Sequence, residues 1–201
     1  MIKRLLILLY LCCSFTGVKQ TIPDTDKVTL AQLREEEKLS RDLYRTLNSQ
    51  WDQTVFRNIS VAEVTHMQEL KNLMALYNVK DPVLQTGDKR GQFVYGDFQR
   101  LYDSLVTTSS ASLERALRAG ALVEERDIED LREAKDLTEM KDLAATYSYL
   151  ILASEQHLRA FNQNLKRLGV TYTPVLMSRE AFDHIIGSGM AQGRMGGRMG
   201  N

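Results

Sequence analysis

Apolar residues recur at helical spacing along most of the chain. Thr29-x-x-Gln32 has the form of a capping box, and Leu30, Leu33, Tyr44 and Leu47 follow on one seam, predicting a long helix that ends near Asn48–Trp51. Glu37 and Ser40 fall on the same seam, whereas Glu35 and Glu36 can be solvated. A second helix is expected from Ser60 to about Tyr77, with Val64, Met67, Leu70, Leu73, Met74 and Tyr77 as its apolar face and Asp81-Pro82 as its stop. A long connection with Gly87, Gly91 and Gly96 holds a short helix from about Phe98 to Val106. The third long helix opens after Ser110 or Ser112, with Leu113, Leu117, Ala121, Ile128 and Leu131 on its seam and Glu124 in register. Asp136-x-x-Glu139 reads as the capping box of a fourth helix, which carries Leu143, Tyr147, Leu150, Leu158 and Phe161 and runs to about Leu168, with Gly169 as its left-handed C-cap. Ser178 caps a last short helix from Arg179 to Ile186.

The connections between the four long helices run short, long, short. That pattern predicts an all-α chain, a ferritin-like four-helix bundle with a long crossover between its second and third helices and short accessory helices. The expected division is a signal peptide over 1–17, a linker over 18–28, the ferritin-like helical domain over 29–186 and a disordered Gly/Met/Arg tail over 187–201. Lys3-Arg4 ahead of an apolar run from Leu5 to Phe15 has the form of a secretory signal, and the run is too short for a bilayer-spanning helix. The expected location is therefore secreted or periplasmic. A retained anchor is the alternative reading of this run, and a lipid anchor on Cys12 or Cys13 lacks the usual small residue before the cysteine. Both cysteines lie in the apolar run, so a chain cut after them has no thiol for disulfides or metal.

Composition adds little against this. Apolar residues make up 43% and charged residues 26%, ordinary for a chain with a real core. Lys plus Arg equals Asp plus Glu at 26 each, so there is no basic footprint for nucleic acid.

The chemistry lies in polar residues on inner faces. Glu63 and His66 stand one turn apart on the second helix, and carboxylate with imidazole suits iron, manganese or zinc. Glu63 is equally the last position of a Ser60-x-x-Glu63 capping box. A glutamate inside an apolar stripe is costly unless paired or metal-bound, which makes Glu37 a candidate on the first helix. The third helix offers Glu124 and, one turn on, Asp127, and the fourth offers His157. A two-metal carboxylate centre in a bundle needs a comparable set: a glutamate from each of two helices and Glu-x-x-His from the other two. Against the set stand three plain readings: Glu63 as a cap, Glu124 as part of a solvated charge run with Glu125 and Arg126, and His157 as a hydrogen-bonded core histidine.

These residues resemble the family called domain of unknown function 2202. The resemblance rests on Glu35-Glu36-Glu37-Lys38-Leu39-Ser40-Arg41-Asp42-Leu43-Tyr44, Phe56-Arg57-Asn58-Ile59, Ala62-Glu63-Val64-Thr65-His66-Met67, Asp81-Pro82, Leu101-Tyr102-Asp103, the run from Gly120 to Ile128, and His157-Leu158-Arg159-Ala160-Phe161. It covers roughly Thr29 to Ile186 and implies a prokaryotic, often secreted protein grouped with the ferritin-like superfamily. Glu37 with Tyr44 is similar to the first-helix Glu and Tyr of ferritins and rubrerythrins, which selects Glu37 over Glu36. Glu63 and His66 match the second-helix Glu-x-x-His, and Glu124 is similar to the third-helix glutamate, with Glu125 beside it as the alternative. The fourth helix departs from the pattern, because Ser154 stands where a glutamate is expected three residues before His157. Asp127 is the preferred substitute carboxylate, and Glu155 the other.

The expectation from residues and resemblance together is a secreted protein with a di-iron or di-manganese centre on Glu37, Glu63, His66, Glu124, Asp127 and His157. Tyr44 would hydrogen-bond a ligand, and oxygen or peroxide would be the co-reactant of a ferroxidase or peroxidase chemistry. The alternatives are a non-enzymatic metal-binding protein, for storage or structure, and a metal-free helical interaction protein whose inner carboxylates pair with Arg41 and Arg159.

Overall fold

A computed structural model describes residues 21–195, with side chains to residue 188. The described residues form helices and no strand: α1 (Asp24–Trp51), α2 (Thr54–Leu76), α3 (Pro82–Gln85), α4 (Gly96–Ser109), α5 (Leu113–Leu137), α6 (Lys141–Arg167) and α7 (Arg179–Met195). The all-α expectation holds. The expected signal segment lies outside the described residues.

Several boundaries differ from expectation. α1 begins at Asp24, inside the stretch read as linker, because Pro23 precedes the first turn and Asp24 and Asp26 complement its exposed N–H groups. α2 begins at Thr54, so Ser60 is mid-helix and its Oγ donates back to the Arg57 carbonyl at 2.8 Å. The Ser60–Glu63 capping box therefore does not form. α6 begins at Lys141 without a side-chain cap, so the Asp136–Glu139 box does not form either; Thr138 Oγ1 accepts from Met140 N at 3.1 Å instead. Ser112, of the two candidate serines, caps α5 by accepting from Arg115 N. Gly169 adopts the left-handed conformation after α6, with φ +75°. α7 continues past Ile186 to Met195, within the stretch read as a tail.

The long helices pair as two antiparallel hairpins, α1 with α2 and α5 with α6. Tyr44 meets Glu124, Glu36 meets Arg126 and Asp26 meets Thr138, so α1 and α5 also run antiparallel. The crossover through α3 and α4 returns the chain along the bundle. It is fastened to a buried charged stretch of α1: Glu35 accepts from Val94 N and Tyr95 N, and Asp42 gathers Lys38, Arg41 and Gly91 N. Glu35 and Glu36, read as solvated, are 0% and 3% exposed, because the crossover and α5 cover them.

The interior is divided. One apolar cluster includes Leu43, Tyr44, Phe56, Leu117, Leu158 and Phe161; the other includes Leu30, Leu70, Met74, Leu131, Tyr147 and Leu150. Gly120 brings α5 against the Phe161 ring, where a Cβ would collide. Between the two clusters, at mid-height on all four long helices, lies a layer of buried acids and imidazoles.

Candidate metal centre

Five of the six residues singled out in the sequence come together in that layer. His66 Nδ1 lies 2.7 Å from Glu63 Oε2 and 3.2 Å from Glu37 Oε2. His157 Nδ1 lies 3.1 Å from Glu63 Oε1 and 3.4 Å from Glu124 Oε2. Two groups of donor atoms result, Glu37–Glu63–His66 and Glu63–Glu124–His157, each compact enough to surround one ion. Glu63 belongs to both, with one oxygen toward each imidazole. The two rings stack at 5.4 Å between centroids and 21° between planes. Asp127 joins neither group; its Oδ2 accepts from Ser154 Oγ at 2.5 Å.

The register of each helix explains the convergence. Residues three apart share a helix face, so Glu63 with His66, and Glu124 with Asp127, each project together. The neighbouring glutamates point elsewhere. Glu36 binds Arg126 Nε at 2.8 Å. Glu125 accepts from the Tyr172 hydroxyl at 2.6 Å and from the backbone N–H groups of Val175, Leu176 and Met177, which clamps the chain ahead of α7. The geometry thus separates Glu37 from Glu36 and Glu124 from Glu125. Arg41 and Arg159 do not pair with the inner carboxylates: Arg41 binds Asp42 and Asp88, and Arg159 donates to the Ile185 carbonyl.

Buried donors and acceptors lack partners here. Glu37 Oε1, Glu63 Oε1, Asp127 Oδ1 and His157 Nδ1 have no hydrogen bond; the 3.1 Å approach of His157 to Glu63 is not aligned as one. Buried polar atoms are nearly always satisfied, so a cluster of orphans from one chemical class signals an absent counterpart. Carboxylate oxygens and imidazole nitrogens are the donors that iron, manganese and zinc accept. The residues fit a cation.

The electrostatics agree. Burial pushes the Glu37 carboxyl up to about 8, even though the adjacent imidazole of His66 pulls it back. Burial also raises Glu124, and raises Asp127 well above the usual range with the charges of Glu37 and Glu124 adding to it. Burial works against the ionised Glu63 too, but His157 and His66 outweigh it and hold that carboxyl well below the ordinary range. Burial disfavours both imidazoliums, yet Glu37 and Glu63 bring His66 up to about 12, and Glu124 and Glu63 bring His157 up to about 10. Protons thus balance the acids, and a cation that enters must displace them.

Two surrounding contacts complete the layer. Tyr44, fully buried, donates its hydroxyl to Glu124 Oε1 at 2.6 Å. Tyr149, half-exposed, sets its ring edge-on to His66 with centroids 6.2 Å apart. Sequence reasoning found Tyr44 but missed Tyr149, which carries no periodicity or motif signal. It noticed Ser154 only as a missing glutamate, not as the partner of Asp127.

A solved relative has the same architecture. The crystal structure of hypothetical protein MJ0754 from Methanococcus jannaschii superposes with a TM-score of 0.81 at 39% identity, covering 84% of this chain and 95% of that one. In sequence, the uncharacterized protein MJ0754 of Methanocaldococcus jannaschii is 39% identical over 175 residues, 87% of this chain and 94% of the relative. The family model described as "Uncharacterized protein domain (DUF2202)" matches residues 26–189, and the chain belongs to that family.

Proposed function

We propose that this chain is a ferritin-like protein whose four long helices would hold a pair of iron ions, or of manganese ions, among their buried carboxylates and imidazoles. The observation that carries the reading is Glu63, buried, with one oxygen facing His66 and the other facing His157. Glu37 and His66 would hold one ion, Glu124 and His157 the other, and Glu63 both. Such a pair of ions supplies oxidation by oxygen or peroxide, of the ferroxidase or peroxidase kind. The chain's own residues bind and orient. Tyr44 fixes the Glu124 carboxylate by a hydrogen bond, and the apolar clusters above and below exclude bulk water and strengthen every charge interaction inside. The reading includes export, with the segment before the helical domain removed, and the first residue of the secreted protein tests that part.

Metal storage, or a structural metal, is the second reading. Ser154 favours it, because the fourth helix lacks the glutamate that would complete a second Glu-x-x-His. One experiment separates them: ferrous iron is added to the purified chain without oxygen, iron per chain is measured, and oxygen uptake is followed on exposure to air. Two irons with oxygen consumption and a visible absorption band support the oxidase. Bound iron without oxygen consumption supports storage or structure, and no bound iron ends the metal reading.

A further inference from the structure

The centre is built twice, once by each hairpin, and the two halves carry their inner acid on opposite helices. α1 and α5 each present a glutamate followed one turn later by a short side chain: Glu37 then Ser40, and Glu124 then Asp127. α2 and α6 each present a residue one turn ahead of a histidine: Glu63 before His66, and Ser154 before His157. Within each hairpin the histidine faces its own glutamate at a similar distance, 3.2 Å for His66–Glu37 and 3.4 Å for His157–Glu124. The halves therefore correspond residue for residue. The inner pair alone is exchanged. In the first hairpin the acid is on the second helix (Glu63) and the serine on the first (Ser40). In the other, the acid is on the first helix (Asp127) and the serine on the second (Ser154).

All four of these residues are buried. Ser154 Oγ reaches Asp127 Oδ2 at 2.5 Å while also contacting the Leu150 carbonyl at 3.1 Å, so the serine is fixed to its own helix and the acid to the serine. The other Asp127 oxygen, Oδ1, is buried without a partner. Asp127 stands one turn from Glu124 on the same face of α5 and is itself buried, which sets it beside the polar layer.

We propose that Asp127 supplies, across the helix interface, the inner carboxylate missing from position 154, and that Ser154 is the positioning residue that presents it. The inference rests on the two-metal reading above. It gives the centre a carboxylate on either side: four acids and two neutral imidazoles, whose formal charge two divalent cations cancel. It also makes the acid transferable, because the same place in the layer is reached from α5 by an aspartate or from α6 by a glutamate.

The test is manganese(II) binding to the full chain, by equilibrium dialysis and elemental analysis, with helicity and melting temperature recorded for each metal-free variant. The wild type is expected to hold two ions. Asp127→Ser should hold one tightly, and the exchanged double variant Asp127→Ser/Ser154→Glu should hold two again. Ser154→Ala removes only a hydroxyl and should weaken the second ion by about 10–100-fold while sparing the first, the usual cost of losing a group that orients a ligand. Two ions bound by Asp127→Ser with wild-type affinity overturn the proposal, as does a folded double variant that still holds one. Should the double variant lose helicity, Ser154→Ala decides: unchanged affinity for the second ion overturns the proposal. A wild type that holds a single ion overturns it while leaving a metal site standing, and a wild type that holds none overturns both readings.

Discussion

Tyr44 on α1 donates a 2.6 Å hydrogen bond to Glu124 on α5, joining the two hairpins at the edge of the buried polar layer. The same tyrosine is one of three packed aromatic rings, with Phe161 at 5.3 Å and Phe56 at 6.4 Å between centroids. Its ring therefore belongs to the core and its hydroxyl to the centre. Tyr44→Phe keeps the first and removes the second. The expected result is a modest loss of stability, about 1–3 kcal/mol, the range for losing a hydrogen bond to a charged or buried group. Metal affinity should fall about 10–100-fold at the Glu124–His157 side. Thermal melting and manganese titration of the variant check both.

Glu63 and Glu37 should respond to neutralisation with opposite signs. Glu63 is stabilised as an anion by His157 and His66, so Glu63→Gln should lower both metal binding and the melting temperature of the metal-free protein at pH 7. Glu37 is held by burial near a pKa of about 8, against an ordinary 4.5, so its ionisation opposes folding at neutral pH. Glu37→Gln should therefore raise the metal-free melting temperature while reducing metal binding. A rise for Glu63→Gln, or a fall for Glu37→Gln, would contradict the charge arrangement described here.

The metal-free protein should be most stable in mild acid and weaken toward alkaline pH. Glu37 is raised on folding, so its contribution is complete below about 4.5 and is lost as pH rises through about 8. His157 and His66 are raised from 6.5, and their contributions are lost as pH rises through about 10 and about 12. Glu63 works in the other sense: its folded value is lowered from 4.5, so its contribution is complete above about 4.5 and is lost progressively as pH falls below that. Metal binding releases these protons, so the stabilisation conferred by manganese should grow over the same interval. Melting curves from pH 5 to pH 9, with and without manganese, test the divergence.

Glu125 should matter for folding and not for metal. Its fully buried carboxylate gathers the Tyr172 hydroxyl and three successive backbone N–H groups. Glu125→Ala strands these donors, at about 1–3 kcal/mol for each buried group left unpaired. A marked loss of melting temperature is expected, with manganese stoichiometry unchanged in the protein that remains folded. Loss of metal with stability intact would instead exchange the roles of Glu124 and Glu125.

The three-residue spacings of Glu63–His66 and Glu124–Asp127, and the short-long-short connections, make the inner faces and the helical bundle legible in the sequence. Helix starts were less readable. A local Ser-x-x-Glu pattern promised a cap at Ser60, but Thr54 to Ile59 continue the helix upstream, where Val55, Phe56 and Ile59 are buried against the core. Runs of adjacent glutamates were ambiguous for a geometric reason: successive helical residues lie about 100° apart, so two neighbours can both point inward, toward different partners. Glu35 and Glu125 find theirs in backbone N–H groups of distant loops, which leave no mark in composition or periodicity. Asp127 and Ser154 were each visible alone, but only the fold joins residues 27 positions apart in one hydrogen bond.

The separation of the interior into two apolar clusters bears on how the chain finds its alignment. Leucine-rich seams tolerate sliding, since one turn of displacement sets leucine against leucine again. A charged girdle at mid-height does not. Displacing α6 by one turn against α2 would take His157 from Glu63 and set its imidazole against hydrocarbon, an arrangement that costs several kcal/mol per stranded ion. The acids and imidazoles therefore act as a vernier for the four helices. The side chains that make up the candidate centre thus also tell the helices where to stop.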